Sequence, residues 1–314
     1  MKAARIHKFG PPGVIVIEEL PRPAPGQGEV LVRVEAAGVG PWDALIRSHT
    51  SVVQVPLPIT LGSDLSGVIE EIGPGVSGFN VGDEVYGVTN PDFCGAYAEY
   101  AVASAAMVAR KPQVLSHVEA ASVPVVAVTA WQMLFDYAQA KAGQTVLVHG
   151  GAGNVGAYVV QLASQAQLQV TATAASRDNA YVRGLGAEQV LDYETTRFEK
   201  EISAVDIVVD TVGGDTRERS YQVVKPGGIL VSVVSPFPER SIASDIRTAF
   251  FLVEVTTGRL NAITDLIDHG KVSTQVGTVL HLDQVQTAHE MLAGAPHRRG
   301  KIVLDLGGGT SPTT

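Results

Sequence analysis

The first part of the chain consists of short apolar runs broken by glycine and proline, at residues 29–35, 67–72, 84–88 and 97–102. Runs of that length with near-alternating polarity predict an irregular, mostly antiparallel β domain over residues 1–123. From residue 124 the pattern changes to apolar segments of strand length, at 145–148, 169–173, 190–191, 205–209 and 229–234, separated by stretches of helical period. That alternation predicts an α/β, doubly wound parallel sheet over 124–257. Residues 249–255 read as its last strand, at an edge. A helix at 259–269, an alternating stretch to 281, a helix at 285–292 and a strand at 301–306 follow. Periodicity alone leaves open which domain this returning segment joins. The glycine- and threonine-rich end, 307–314, has nothing to bury and reads as a frayed tail.

Within the second domain, Thr145-Val-Leu-Val-His-Gly-Gly-Ala-Gly-Asn-Val-Gly156 runs a strand through G-x-G-x-x-G into a helix. This order of strand, glycines and helix is the fingerprint of a dinucleotide pyrophosphate site. Gly151 is expected to permit the turn, Gly153 to let backbone approach phosphate, and Gly156 to let helix and strand pack closely. Val155, Val159, Leu162 and Ala163 give the helix one buried face, while Asn154 and Val155 present free N–H groups to an anion. The second strand ends in Thr173-Ala-Ala-Ser-Arg177, with no carboxylate at its tip to hold a ribose 2′-hydroxyl. Ser176 and Arg177 suit a 2′-phosphate instead, which favours NADPH. The alternatives stay open: Asp178 as the ribose ligand, and Arg177 as a solvated charge at a helix start. The loops after the later strands, Asp210-Thr-Val-Gly-Gly214 and Val233-Val-Ser-Pro236, fall where ligands bind in such sheets, or are plain turns.

Composition narrows the partners. Twenty-three basic against 32 acidic residues give a net charge of −9, and nucleic acid is therefore not expected. The single cysteine, Cys94, excludes an intramolecular disulfide and a cysteine-based zinc cage. No apolar run approaches the ~18 residues of a membrane span, and the start of the chain has no signal-peptide core. A cytoplasmic protein with no membrane insertion is expected.

The motifs Ala37-Gly-Val-Gly-Pro-Trp-Asp43, Leu61-Gly-Ser-Asp-Leu-Ser-Gly67, Val81-Gly-Asp-Glu-Val85, Thr129-Ala-Trp131, the glycine loop, Gly186-Ala187 with Leu191-Asp-Tyr193, Lys225-Pro-Gly-Gly228 and Gly300-Lys-Ile-Val-Leu304 run through nearly the whole chain. Together they resemble the zinc-free NADPH quinone oxidoreductase branch, which includes zeta-crystallin, of the medium-chain dehydrogenase/reductase superfamily. The resemblance implies a GroES-like catalytic domain, formed by 1–123 with 258–314 returning to it, beside a Rossmann NADP-binding domain at 124–257. It implies a cofactor in the cleft between them and a homodimer through edge strand 249–255. Thr129, Val212, Val233, Ser235 and Lys301 are then expected on the cofactor, and Ser176, Arg177 and Tyr193 around its 2′-phosphate.

Zinc members of the superfamily place metal ligands where this chain has Gly40, Ser63 with Asp64, and approximately Val125, so no metal is expected. The expected reaction is hydride transfer from NADPH to a quinone or conjugated enone, with Trp42, Leu45 and Phe251 as an apolar slot for this small-molecule acceptor. Leu45 stands where many quinone oxidoreductases carry a tyrosine. The candidates for polarising the substrate are then Ser63, Asp64, Arg47 and the cofactor's own ribose hydroxyl. For Asp64 the alternative is holding a loop by accepting backbone N–H bonds, and for Arg47 a surface ion pair. His149 and Cys94 read as packing residues. Reduction of an enoyl thioester, and binding of NADPH without turnover, are the alternative functions.

Overall fold

The computed structural model describes residues 1–237 and 245–307; of the tail expected to fray, 307–314, all but Gly307 lies outside them. The chain divides into two units, Met1–Val125 with Val255–Thr314, and Val126–Glu254.

In the second unit, strands Thr145–His149, Gln169–Ala174, Gln189–Asp192, Val205–Asp210, Val224–Ser232 and Arg247–Phe250 form one sheet. All its pairings are parallel. Their runs are apolar on both faces, as a sheet covered on both sides requires: Leu147, Val148, Val208, Val209, Leu230 and Val231 are fully buried. From Thr145–His149 the chain winds outward to Gln189–Asp192, then returns to build Val205–Asp210 on the other side of the first strand. The reversal leaves a crevice at the carboxyl ends of the two central strands, where ligands bind in open α/β sheets. Helix Asn154–Gln165 is buried from Gly156 to Ala163, a wider arc than one face, because residues 132–137 pack on it as well as the sheet. Val155, expected in its apolar stripe, is only half-buried.

One predicted element is displaced. The edge strand is Arg247–Phe250 rather than 249–255. Its partner's pairing ends at Ser232, opposite Phe250. Beyond that point Phe251 stacks on Tyr137 with ring centroids 4.3 Å apart, and the Glu254 N–H donates to Gln132 Oε1 at 2.9 Å.

In the first unit, the long strand Glu29–Val39 pairs antiparallel with Asp64–Ile72, Tyr100–Ser104 and Lys301–Asp305. The returning segment, with strands Val276–His281 and Lys301–Asp305, thus completes this sheet. Glu29–Val39 runs four residues past its predicted end because Ala36 to Val39 pair with Asp305 to Ile302, a partner far away in sequence. A smaller antiparallel sheet, Ile15–Glu19, Lys2–Ile6 and Ile59–Thr60, closes the same core around Ile6, Val32, Leu65, Tyr97 and Leu304.

Candidate functional site

At the end of strand Thr145–His149 the left-handed residue is Gly150, at φ 75°, not Gly151. Gly151 is needed for space: a Cβ there would stand 2.9 Å from the Ala172 Cβ and 3.2 Å from the Val182 Cγ1. The expectation that Gly151 makes the turn is corrected accordingly. A Cβ at Gly156 would lie 2.1 Å from the Gly150 carbonyl oxygen, so the first turn of the helix sits directly on the bend, whereas at Gly153 the same oxygen is 3.2 Å away. Gly153 is the N-cap and supplies no side-chain acceptor, which leaves the N–H groups of Asn154, Val155 and Gly156 uncapped. Uncapped N–H groups and bare backbone at a positive helix end fit a pyrophosphate.

The bend opens on a cleft of about 600 Å³ whose walls include Gly153, Ala175, Asp178, Tyr193, Val212 and Arg219. Thr173 also lines it, at the end of strand Gln169–Ala174. Past that strand, the Ser176 hydroxyl donates to the Asp192 carboxylate, and Asp192 also accepts the Glu194 N–H and the Thr195 hydroxyl, each at 3.0 Å. The Ser176 bond first, then the others, hold the Asp192 carboxyl below its ordinary pKa. Arg177 is exposed, with a loose ion pair to Glu194 at 3.8 Å. Tyr193 is exposed at the cleft wall.

The loop after Val205–Asp210 is a built turn. Asp210 is fully buried and accepts the N–H groups of Val212 (2.9 Å) and Gly213 (2.7 Å) through Oδ1 and the Ser232 hydroxyl (2.8 Å) through Oδ2. This sets Val212 half-exposed at the cleft. Val233 follows, its N–H donating to the Asp210 carbonyl at 3.4 Å. Ser235 is held by Arg217, whose Nη1 donates to its carbonyl (2.8 Å) and hydroxyl (3.0 Å) while the guanidinium lies over Phe237. Sequence reasoning missed both Asp210 and Arg217 as organisers of these loops. An acid closing a strand before a glycine pair was the legible signal for Asp210. Arg217 carries none, because it acts across 18 residues. Thr129 is buried in helix Pro124–Trp131. His149 is buried between Thr173 and the Ser220 hydroxyl, and burial pushes its pKa down to about 4, so it is a neutral packing residue.

In the first unit, helix Pro41–Ser48 buries Asp43, Ile46 and Arg47 and turns Trp42 and Leu45 outward; Leu45 is 47% exposed. Among the described residues Arg47 makes no surface ion pair. It is buried, its Nε donating to His289 Nδ1 at 3.2 Å and its Nη1 to the Gly10 carbonyl at 2.8 Å. Asp64 is fully buried: Oδ1 accepts the Val125 N–H at 3.1 Å and Oδ2 the Lys301 ammonium at 2.9 Å. Burial raises the Asp64 pKa, and the Lys301 charge opposes that rise. Lys301, expected on the cofactor, is instead buried against Asp64, 4.1 Å from the Trp42 ring centroid. The reason is electrostatic: a buried carboxylate needs a partner, and the strand Lys301–Asp305 delivers one. Ser63 is buried and accepts the Trp42 Nε1–H at 2.9 Å. Thus Trp42, Ser63, Asp64 and Lys301 come together, Arg47 faces away into the core, and Phe251 lies buried in the other unit against Tyr137. Cys94 is partly buried, and burial lifts its thiol to about 11, which makes it unreactive.

Residues 185–304 match the family described as zinc-binding dehydrogenase, and residues 26–113 match the alcohol dehydrogenase GroES-like domain. The quinone oxidoreductase of Lama guanicoe is 31% identical over 324 residues, covering 98% of each chain. The solved quinone oxidoreductase from Coxiella burnetii is 34% identical with a TM-score of 0.88, covering 98% of this chain and 99% of that one. A mycobacterial protein solved in complex with NADPH is 29% identical with a TM-score of 0.87, covering 98% of this chain and 100% of that one. The first of these descriptions implies zinc, and the residues do not fit it. Gly40 and Val125 offer no donor, Asp64 is engaged by Lys301, and no group of three or more His, Cys, Asp or Glu side chains able to hold a metal occurs among the described residues. No helix among the described residues is long and apolar enough to cross a membrane.

Proposed function

Because the chain belongs to the quinone oxidoreductase branch of the medium-chain dehydrogenase/reductase superfamily, and is an NAD(P)H-dependent oxidoreductase, we propose that it reduces a quinone or conjugated enone with NADPH and without a metal. The observation that carries this reading is the uncapped helix start at Asn154, seated on a bend where Gly151 and Gly156 leave no room for a Cβ and opening on the 600 Å³ cleft. In this reading the N–H groups of Asn154 and Val155 hold the diphosphate, and Val212, Val233, Ser235 and Thr129 flank the nicotinamide. Bound there, the cofactor supplies a hydride; the chain binds, orients and excludes water, and the acceptor gains that hydride and a proton from solvent. Arg177, exposed just past a strand tip that has no carboxylate, pairs with the 2′-phosphate, and Tyr193 covers it. Ser176, committed to Asp192, holds this corner rather than donating freely. The edge strand Arg247–Phe250 is the surface through which a cytoplasmic homodimer would form.

Steady-state oxidation of NADPH and NADH with p-benzoquinone, an alkyl enone and an enoyl thioester tests the proposal. Wild type should turn over the quinone or the enone, and Arg177→Ala should raise KM for NADPH about tenfold while leaving that for NADH unchanged. Turnover of the thioester alone would favour an enoyl reductase. Tight NADPH binding with no turnover would favour a binding protein.

A further inference from the structure

Gly40 is not a conformational glycine. Its backbone is extended, at φ −135° and ψ 164°, a region open to every residue type. What forbids a side chain there is Trp42. An ideal Cβ at position 40 would stand 2.3 Å from Cη2, 2.4 Å from Cζ2 and 2.5 Å from Cζ3 of the indole, far inside contact distance. The six-membered ring therefore fills the space a residue-40 side chain would take. It is also fixed there: Nε1–H donates to Ser63 Oγ at 2.9 Å, and the Lys301 ammonium, itself tied to Asp64, lies over the ring. A large ring locked by one hydrogen bond and one buried cation loses little further freedom when a ligand packs on it. Trp42 is only half-buried, and with Leu45 three residues on it forms the outward apolar face of a helix whose other face is anchored by Asp43, Ile46 and Arg47.

We propose that Trp42 is a plug and a specificity-determining residue. Its indole, admitted by Gly40, closes the corner between residues 40, 63 and 64 to a side-chain donor or a divalent metal, and it sets the depth of the apolar wall against which a flat conjugated acceptor packs. The acceptor half of this inference rests on the proposed function. The packing half stands without it.

The test is a double-mutant cycle with Gly40→Ala, Trp42→Val and both together, each read by thermal unfolding and by acceptor kinetics. Gly40→Ala should lower Tm and shift the tryptophan emission, since the ring must move. In the double variant the added methyl meets no ring, so the effects should be strongly non-additive. Additive effects on Tm would overturn the plug, whatever the enzyme does. In kinetics, Trp42→Val should raise kcat/KM for a bulky quinone relative to p-benzoquinone by about tenfold or more. An unchanged acceptor ratio in a folded Trp42→Val protein that still oxidises NADPH would overturn the specificity role. If wild type turns over no acceptor while the Tm coupling is present, the proposed function fails and the plug survives. Zinc retained at one equivalent per chain by purified wild type would overturn metal exclusion.

Discussion

Asp43 is a carboxylate in an unusual state for a residue that begins a helix. Its Oδ2 accepts the Gly40 N–H at 2.8 Å and the Tyr97 hydroxyl at 2.9 Å, but Oδ1 is buried with no partner among the described residues. Burial outweighs those two donors and the Lys301 charge, and raises its pKa from 3.8 to about 7. The folded protein therefore binds a proton that the unfolded chain has already lost between those two values. The contribution to stability is fully present below the unfolded pKa and is lost as pH rises through the folded one. Asp43→Asn removes this titration, so the variant should gain Tm relative to wild type between about pH 4 and about pH 8, read by thermal melts at each. An equal difference at the two ends would show that Asp43 is ionised throughout. Comparing variant with wild type is necessary because His149 and His289 act in the opposite direction. Burial lowers them to about 4 and about 3, so their contribution is present above 6.5 and lost as pH falls. None of this was legible in the sequence. Asp43 stands in a motif shared with the family, yet its proton affinity is set first by burial, which the local sequence does not report, and is only partly offset by the Gly40 N–H, the Lys301 charge and the Tyr97 hydroxyl, the last 54 residues away.

At the scale of the element, the glycine bend separates two kinds of requirement that one motif merges. Gly156 is packed: its missing Cβ would collide with backbone, which cannot move aside as the end of a side chain can. Gly153 has only a 3.2 Å approach to the same oxygen and faces the cleft. Gly156→Ala should thus cost about 1–3 kcal/mol of stability as well as cofactor affinity, while Gly153→Ala should keep Tm within a few degrees and lose chiefly affinity. Chemical denaturation paired with NADPH titration checks both; equal loss of stability in the two variants would show that the bend tolerates no side chain anywhere. The motif located the turn, strand and helix, because those follow from apolar period and glycine spacing. It misassigned the left-handed residue by one, since Gly150 and Gly151 are adjacent and only the geometry distinguishes which of them must turn. The edge strand was misplaced for a related reason. Residues 249–253 are a continuous apolar run, and sequence shows no sign that its sheet partner stops at Ser232 and that Phe251 is drawn to Tyr137 instead.

At the scale of the whole molecule, the two units depend on chain continuity in opposite ways. Val126–Glu254 is one uninterrupted stretch, and it contains every strand of its parallel sheet, the glycine bend and all the walls of the cleft. The other unit is assembled from both ends of the chain. Without residues 255–307 its main sheet lacks Val276–His281 and Lys301–Asp305, strand Glu29–Val39 exposes an unpaired edge from Ala36 to Val39, and Asp64 keeps its burial but loses Lys301. Removing one partner of a buried ion pair costs about 3–5 kcal/mol by itself, a large part of the stability of an ordinary domain. Fragment 126–254 should therefore fold alone, melt cooperatively and gain Tm on adding NADPH. Fragment 1–125 should not fold. Adding a synthetic segment covering 255–307 should rescue it, and the same segment with Lys301→Met should rescue it far less. Circular dichroism melts of the fragments, alone and mixed, give each outcome directly. A cooperative melt for 1–125 alone would mean that the returning strands decorate a core already complete, and the buried Asp64–Lys301 pair would then not be what holds the first unit together.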